Sequence, residues 1–242
     1  MFRIRSLLAL LIALGLTAWP VMADPGAKPT ETTVEPQPKP GWIVIEEEVW
    51  FRFDDEPTLY MHQAHKSFLK KEYQATAREL RKAGGYLHVA AKNASSDTKA
   101  ALTASALELD RLAADIHDGT VKSVKSLESA FARAERALAA DDHAKAKSAL
   151  SHDHHPKAGH YLSSAVTHVE NAAKWSGQKL ESGAIATAKG VRTVAEKLRE
   201  GGGAVVDEAG KGITWIGAEV QRLGKVIEPD RTPTAESKPV EK

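Results

Sequence analysis

Cysteine is absent from the 242 residues, which excludes disulfide staples, thiolate nucleophiles and Cys-ligated metals. An excess of one charge is missing too. Lys and Arg number 33 against 32 Asp and Glu, so no basic surface argues for nucleic acid. Proline is scarce in the interior: nine of the eleven lie at or before Pro40 or at or after Pro229, leaving only Pro57 and Pro156. The long middle is therefore free to be helical.

Catalytic signatures are also lacking. Around Gly210-Lys211, Val205 stands where a phosphate loop needs its first glycine and Gly212 where it needs a hydroxyl. There is no Gly-x-Ser-x-Gly elbow, no His-Glu-x-x-His pair and no Gly-x-Gly-x-x-Gly after a strand. The acids Glu46, Glu47, Glu48, Asp54, Asp55, Asp141 and Asp142 read as solvated groups or caps rather than a paired acid and base. No enzymatic activity is expected.

What is present begins with a targeting signal. Arg3 and Arg5 precede an apolar run from Leu7 to Leu16, and Val21-Met22-Ala23 supplies compact residues at a cleavage position. The pattern predicts a secretory signal peptide over residues 1–23. Its removal takes the formal charge from +1 to −1, and the periplasm is the expected compartment. Residues 24–41, DPGAKPTETTVEPQPKPG, are expected to be a disordered Pro-rich linker, and residues 229–242 a disordered tail. Between linker and helices, residues 42–56 open with WIVIEEEVWFRF, whose β-branched and aromatic content predicts a short extended segment. Trp42, Trp50 and Phe53 would dock it on the helices.

Residues 57–228 predict a helical domain. Pro57 suits a first turn, with Asp54, Asp55 and Glu56 just ahead favouring the positive end of the helix dipole. From there Leu69, Tyr73, Thr76, Leu80, Ala83, Leu87, Ala90 and Ala94 step by fours and threes, the stripe of one long amphipathic helix. A second stripe runs Leu102, Ala106, Leu109, Ala113, Ile116, Thr120, Val124, Leu127, Phe131, Ala134 and Leu138. It keeps phase through Gly119, so residues 97–140 fit either one kinked helix or two. The expected fold is all-α, an elongated antiparallel bundle of long amphipathic helices with the short extended segment at its N-terminal end.

A weak internal repeat crosses this domain. Lys-Ala-Gly-x-Tyr-Leu occurs as Lys82 to Leu87 and again as Lys157 to Leu162, with five extra residues near Ser151 to His155 in the second copy. The 34-residue period of tetratricopeptide arrays is absent. The second copy lies in SHDHHPKAGH, where His152, His154, His155 and His160 cluster; six of the ten histidines fall between His143 and His168. Neutral imidazoles ligate Zn, Cu, Ni or Co, and three or four make a site. These four are the candidate metal ligands, with Asp153 as an oxygen donor. The plainer alternative is a polar elbow before the helix-starting Pro156. A pH switch is a third use for such histidines. His62 and His65 lie on the apolar side of their helix and read as satisfied core-edge groups, as does His168 near Trp175.

Ten of the seventeen glycines lie between Gly177 and Gly224, and Gly203, Gly210, Gly217 and Gly224 recur every seven residues. They would let a neighbouring helix come close. Residues 204–227 also carry Trp215, Lys211, Arg222 and Lys225, which suits peripheral membrane contact. The function these features predict is an interaction, stress-protective or scaffolding role through a protein partner or self-association. Periplasmic metal binding or buffering is the alternative.

Overall fold

Seven helices account for the regular structure, with no strand among the described residues. The structure, a computed structural model, describes residues 47–121 and 123–228, all within the second of two compact units, Ile45–Lys242. The helices are α1 (Glu47–Leu69), α2 (Tyr73–Asn93), α3 (Ser96–His117), α4 (Val124–Ser151), α5 (His155–Trp175), α6 (Ser182–Arg199) and α7 (Val206–Ile227). A short 3₁₀ turn, Gly203–Val205, leads into α7. The all-α fold thus follows the sequence pattern. The signal peptide, linker, Trp42, the C-terminal tail and the side chains of Trp50 and Phe53 lie outside the described residues.

Two expectations are corrected. Residues 47–56 are helical rather than extended, and α1 runs through Pro57 instead of starting there. Proline costs α1 one internal hydrogen bond without ending it. The helix expected to run from Pro57 to Ala94 is two, because the chain turns at Lys70-Lys71-Glu72. Lys71 takes φ 64°; its N–H donates to Phe68 O and that of Glu72 to Ser67 O. This is a Schellman cap with lysine where glycine is usual.

The same paired bonds close α3 at Gly119, α4 at Asp153, α5 at Gly177 and α6 at Gly201, each with positive φ. Residues 97–140 are accordingly two helices divided at Gly119. The apolar stripe had kept phase because both helices bury the same face. Leu102, Leu109 and Ile116 on one, and Leu127 and Phe131 on the other, are all buried.

Helix α4 joins two cores. Leu127, Phe131 and Leu138 in its first half pack with Met61, Leu80, Leu87, Leu102 and Leu109. Ala139, Ala146 and Ala149 in its second half pack with Leu162, Val166, Leu198, Ile216 and Leu223. Each fully buried Leu, Ile or Phe contributes about 1.5–3 kcal/mol. The change from large residues to alanine along α4 marks the change of partners, from α1–α3 to α5–α7.

The repeated Lys-Ala-Gly-x-Tyr-Leu frame acquires a packing meaning here. A Cβ at Gly84 would meet Asp110 Oδ1 at 2.8 Å and Ala106 O at 3.4 Å on α3. At Gly159 it would collide with the Ala195 carbonyl oxygen and lie 2.9 Å from Arg199 Cγ on α6. In both copies glycine admits the following helix, while Leu87 and Leu162 fill the core. Gly85 is different: exposed on α2, with nothing within 4 Å of a Cβ there.

Gly159→Ala is expected to lower unfolding stability by about 1–3 kcal/mol through overpacking. Gly85→Ala is expected to raise it by up to about 1 kcal/mol by restricting the unfolded chain. Urea unfolding of both variants reads the signs, and a neutral or stabilising Gly159→Ala would contradict the close α5–α6 approach.

Candidate functional site

Along α4 the positions Phe131, Glu135, Leu138 and Asp142 step by fours and threes, so two acids share the face of two core residues. Helix α5 carries Tyr161, Ala165, His168, Ala172 and Trp175 with the same rhythm. Packing these faces together brings His168 between the two acids. His168 Nδ1 lies 2.6 Å from Glu135 Oε2, and its Nε2 lies 3.6 Å from Asp142 Oδ2. Glu135 Oε1 also accepts a 2.9 Å hydrogen bond from Thr58 Oγ1 of α1. His168 and Glu135 are 0% exposed and Asp142 3%.

One residue before Asp142, Asp141 accepts from Thr98 Oγ1 of α3 at 2.6 Å and pairs with Lys145 Nζ at 2.8 Å. Asp141 and Asp142 are therefore buried partners, not the solvated acids or caps their sequence suggests. Groups of this kind stay in a core only when each finds a partner. A histidine between two carboxylates resembles acid–base machinery, but at zero exposure no substrate atom reaches it in this state. The arrangement acts as a tether joining α1, α4 and α5.

Beside the tether, α1 lays two rings on Trp175 of α5. The His62 ring centre is 4.8 Å and the His65 centre 5.1 Å from that of Trp175, with Phe131 edge-on at 5.2 Å. His65 Nε2 also meets Glu128 Oε1 at 3.1 Å. Both lie at the core edge, as their spacing predicts, and His65 is satisfied by Glu128. Burial, then the nearby Lys174 ammonium, hold the His62 pKa below the usual histidine value against the opposing pull of Glu135. His143 of α4 is similar at the α7 seam. Burial lowers its pKa, a hydrogen bond with the Ile213 backbone partly offsets this, and Lys147 lowers it further.

The four histidines singled out as metal ligands are not brought to one point. Asp153, with φ 58°, is the left-handed residue of the α4 cap, so SHDHHP forms the elbow between α4 and α5. His152 is exposed, with Nδ1 2.8 Å from Ser148 O. His154 is exposed beside it, the two ring centres 6.2 Å apart. His155 begins α5, with Nε2 3.8 Å from Asp153, and its ring faces Gly203, where a Cβ would be 3.1 Å from Cε1. His160 is half-buried on α5 and engaged elsewhere. Among the described residues, no three His, Asp or Glu side chains group as ligands for an ion.

The glycine heptad serves α7 in a related way. Gly217 and Gly224 leave room for His143 and Arg136 of α4, with 3.1 and 3.3 Å from a would-be Cβ to those side chains. The C-terminal end of α7 is held by Arg136 on Glu228 at 3.0 Å. Of the groups that suggested membrane contact, Trp215 packs on the second core and Arg222 pairs with Glu219 at 2.8 Å. No helix among the described residues is long and apolar enough to cross a membrane.

An open groove of about 660 Å³ lies between α3 and α4. Leu107, Leu112 and Ala130 line it with Ser129 and Arg111. Arg133 Nε donates to Glu108 Oε2 within it at 2.8 Å. Leu107 is 46% exposed there. No protein-family model matches this chain, and no curated protein or solved structure is detectably similar to it.

With only His152 and His154 side by side, Zn²⁺ or Cu²⁺ added to chelator-stripped protein is expected to bind at micromolar affinity or weaker, short of the three or four ligands of a built site. Calorimetric titration checks this. One equivalent bound at submicromolar affinity, and lost when His152, His154, His155 and His160 become alanine, would contradict it.

Proposed function

We propose that this chain is an exported, non-enzymatic helical-bundle protein with a stress-protective interaction role, and that the α3/α4 groove receives exposed segments of other proteins. The groove carries this proposal. Leu107, 46% exposed, lies there with the largely buried Leu112 and Ala130 behind it, among charges of both signs, Arg111 and the Arg133–Glu108 pair. Such a lining, one exposed leucine beside charged groups, suits an amphipathic segment that offers an apolar side chain and opposite charges. Helices α3 and α4 also meet less extensively than either α2 and α3 or α4 and α5, which leaves space for an occupant. Export rests on the signal-like residues 1–23, and the periplasm is the proposed compartment.

Metal binding or buffering is the second reading. It is supported by the adjacent His152 and His154 rings, and would require His155 and His160 to leave their present neighbours.

The test of the interaction role is light scattering by a denatured model enzyme as it aggregates. The full chain is expected to suppress scattering in proportion to its concentration. Ser129→Trp, which fills the groove, should remove at least half of that effect, while Ile185→Glu, at a 56% exposed site elsewhere, should keep it. Absence of suppression, or equal suppression by the Ser129→Trp variant, would overturn the proposal.

A further inference from the structure

Helix α1, which packs mainly on α2, and helix α7 each meet the α4–α5 pair at an imidazole in a site that suits the uncharged ring. On α1, His62 stacks on Trp175 at 4.8 Å, with Trp175 itself 8% exposed. On α4, His143 lies under α7, its ring filling the space left by Gly217, with Nε2 3.1 Å from a would-be Cβ. Among the described residues neither ring has a carboxylate within salt-bridge distance, whereas His65 has Glu128, His88 has Asp110 and His168 has Glu135. We infer that His62 and His143 act as acid-sensitive latches, whose protonation loosens α1 and α7 from the α4–α5 pair.

The charged surroundings favour this direction at both sites. Around His62 stand Lys174 of α5, Glu135 of α4 and His65 of α1; burial and Lys174 outweigh Glu135, and His65 acts in the same direction as Lys174. Around His143 stand Lys147 of α4 and the Ile213 backbone of α7, and burial outweighs that hydrogen bond. Both imidazoles therefore have pKa values lowered by docking. An undocked imidazole returns to about 6.5 and binds more protons than the docked one. Docking is then fully supported above that value and weakens as pH falls through the lowered one.

Three contacts resist the opening. His65 meets Glu128 at 3.1 Å and Thr58 donates to Glu135 at 2.9 Å, both holding α1 to α4, and Arg136–Glu228 holds the far end of α7. The response is consequently graded. What it uncovers is apolar: Phe131 and Trp175 on the α4–α5 pair beneath His62, and the α7 face bearing Ile216 and Leu223. This inference stands apart from the groove and holds whether or not the groove binds anything.

Because the chain has no cysteine, spin labels can be placed in pairs without background. One pair is Gln63→Cys on α1 with Lys189→Cys on α6; the other is Gln221→Cys on α7 with Lys125→Cys on α4. Pulsed electron spin distances on the full chain are compared at pH 7.5 and 5.0. A population at longer distance should rise severalfold at pH 5.0 for both pairs. His62→Phe, which keeps a ring on Trp175, should abolish the rise for the α1 pair alone, and His143→Gln for the α7 pair alone. Lys174→Glu, at an exposed position, should diminish the α1 response and leave that of α7. Distances unchanged between the two pH values, or responses that persist in the histidine variants, would overturn the inference.

Discussion

The burial of an imidazole between carboxylates is the constraint on which this fold depends. Placing Glu135, Asp142 and His168 in the core is tolerable only if α4 and α5 pack in the register that brings them together. A shift of either helix by one residue would turn a polar side chain toward alanine and leucine. Thr58 extends the same requirement to α1, and the Thr98–Asp141 bond extends it to α3. Hydrophobic burial supplies most of the stabilisation, but alanine-rich faces admit several registers. The buried polar contacts single out one of them.

Small residues do the complementary work. Ala139, Ala146 and Ala149 give α4 a narrow second half, and Gly159 lets α6 cross α5 with almost no separation. Gly217 and Gly224 make room for His143 and Arg136 rather than for a neighbouring backbone. The repeated frame around Gly84 and Gly159 is thus a repeated crossing, in which glycine admits the next helix and leucine fills the core two turns of packing share. At the α3/α4 seam no such crossing occurs and a groove remains.

The apolar stripes were legible because a helix that packs on one face repeats that face every three or four residues. From Thr76 to Leu87, and from Leu102 to Leu138 apart from the Gly119 turn, they mark buried positions well. The break after Leu69 was hidden because lysine occupies the left-handed cap position and Leu69 and Tyr73 happen to continue the stripe; both are largely exposed, at 61% and 42%. The helical course of residues 47–56 was hidden by β-branched and aromatic composition, a weak guide against tertiary context. The tether was partly visible, since acids at stripe positions on α4 require a base on the facing helix. Pairing them with His168 needed the α4–α5 register, which spacing alone does not contain. The histidine tract is dense in sequence but forms an elbow, whereas His62 and His143 stand apart from it at helix seams.

The central claim is that the Glu135–His168 contact, rather than alanine packing alone, specifies how α4 sits on α5. A double-mutant cycle with Glu135→Gln and His168→Gln, read by urea unfolding at neutral pH, tests it most directly. A coupling of about 1.5–3 kcal/mol between the two positions is the predicted result. Additivity within about 0.5 kcal/mol would show that the two groups are stabilised independently and contradict the account.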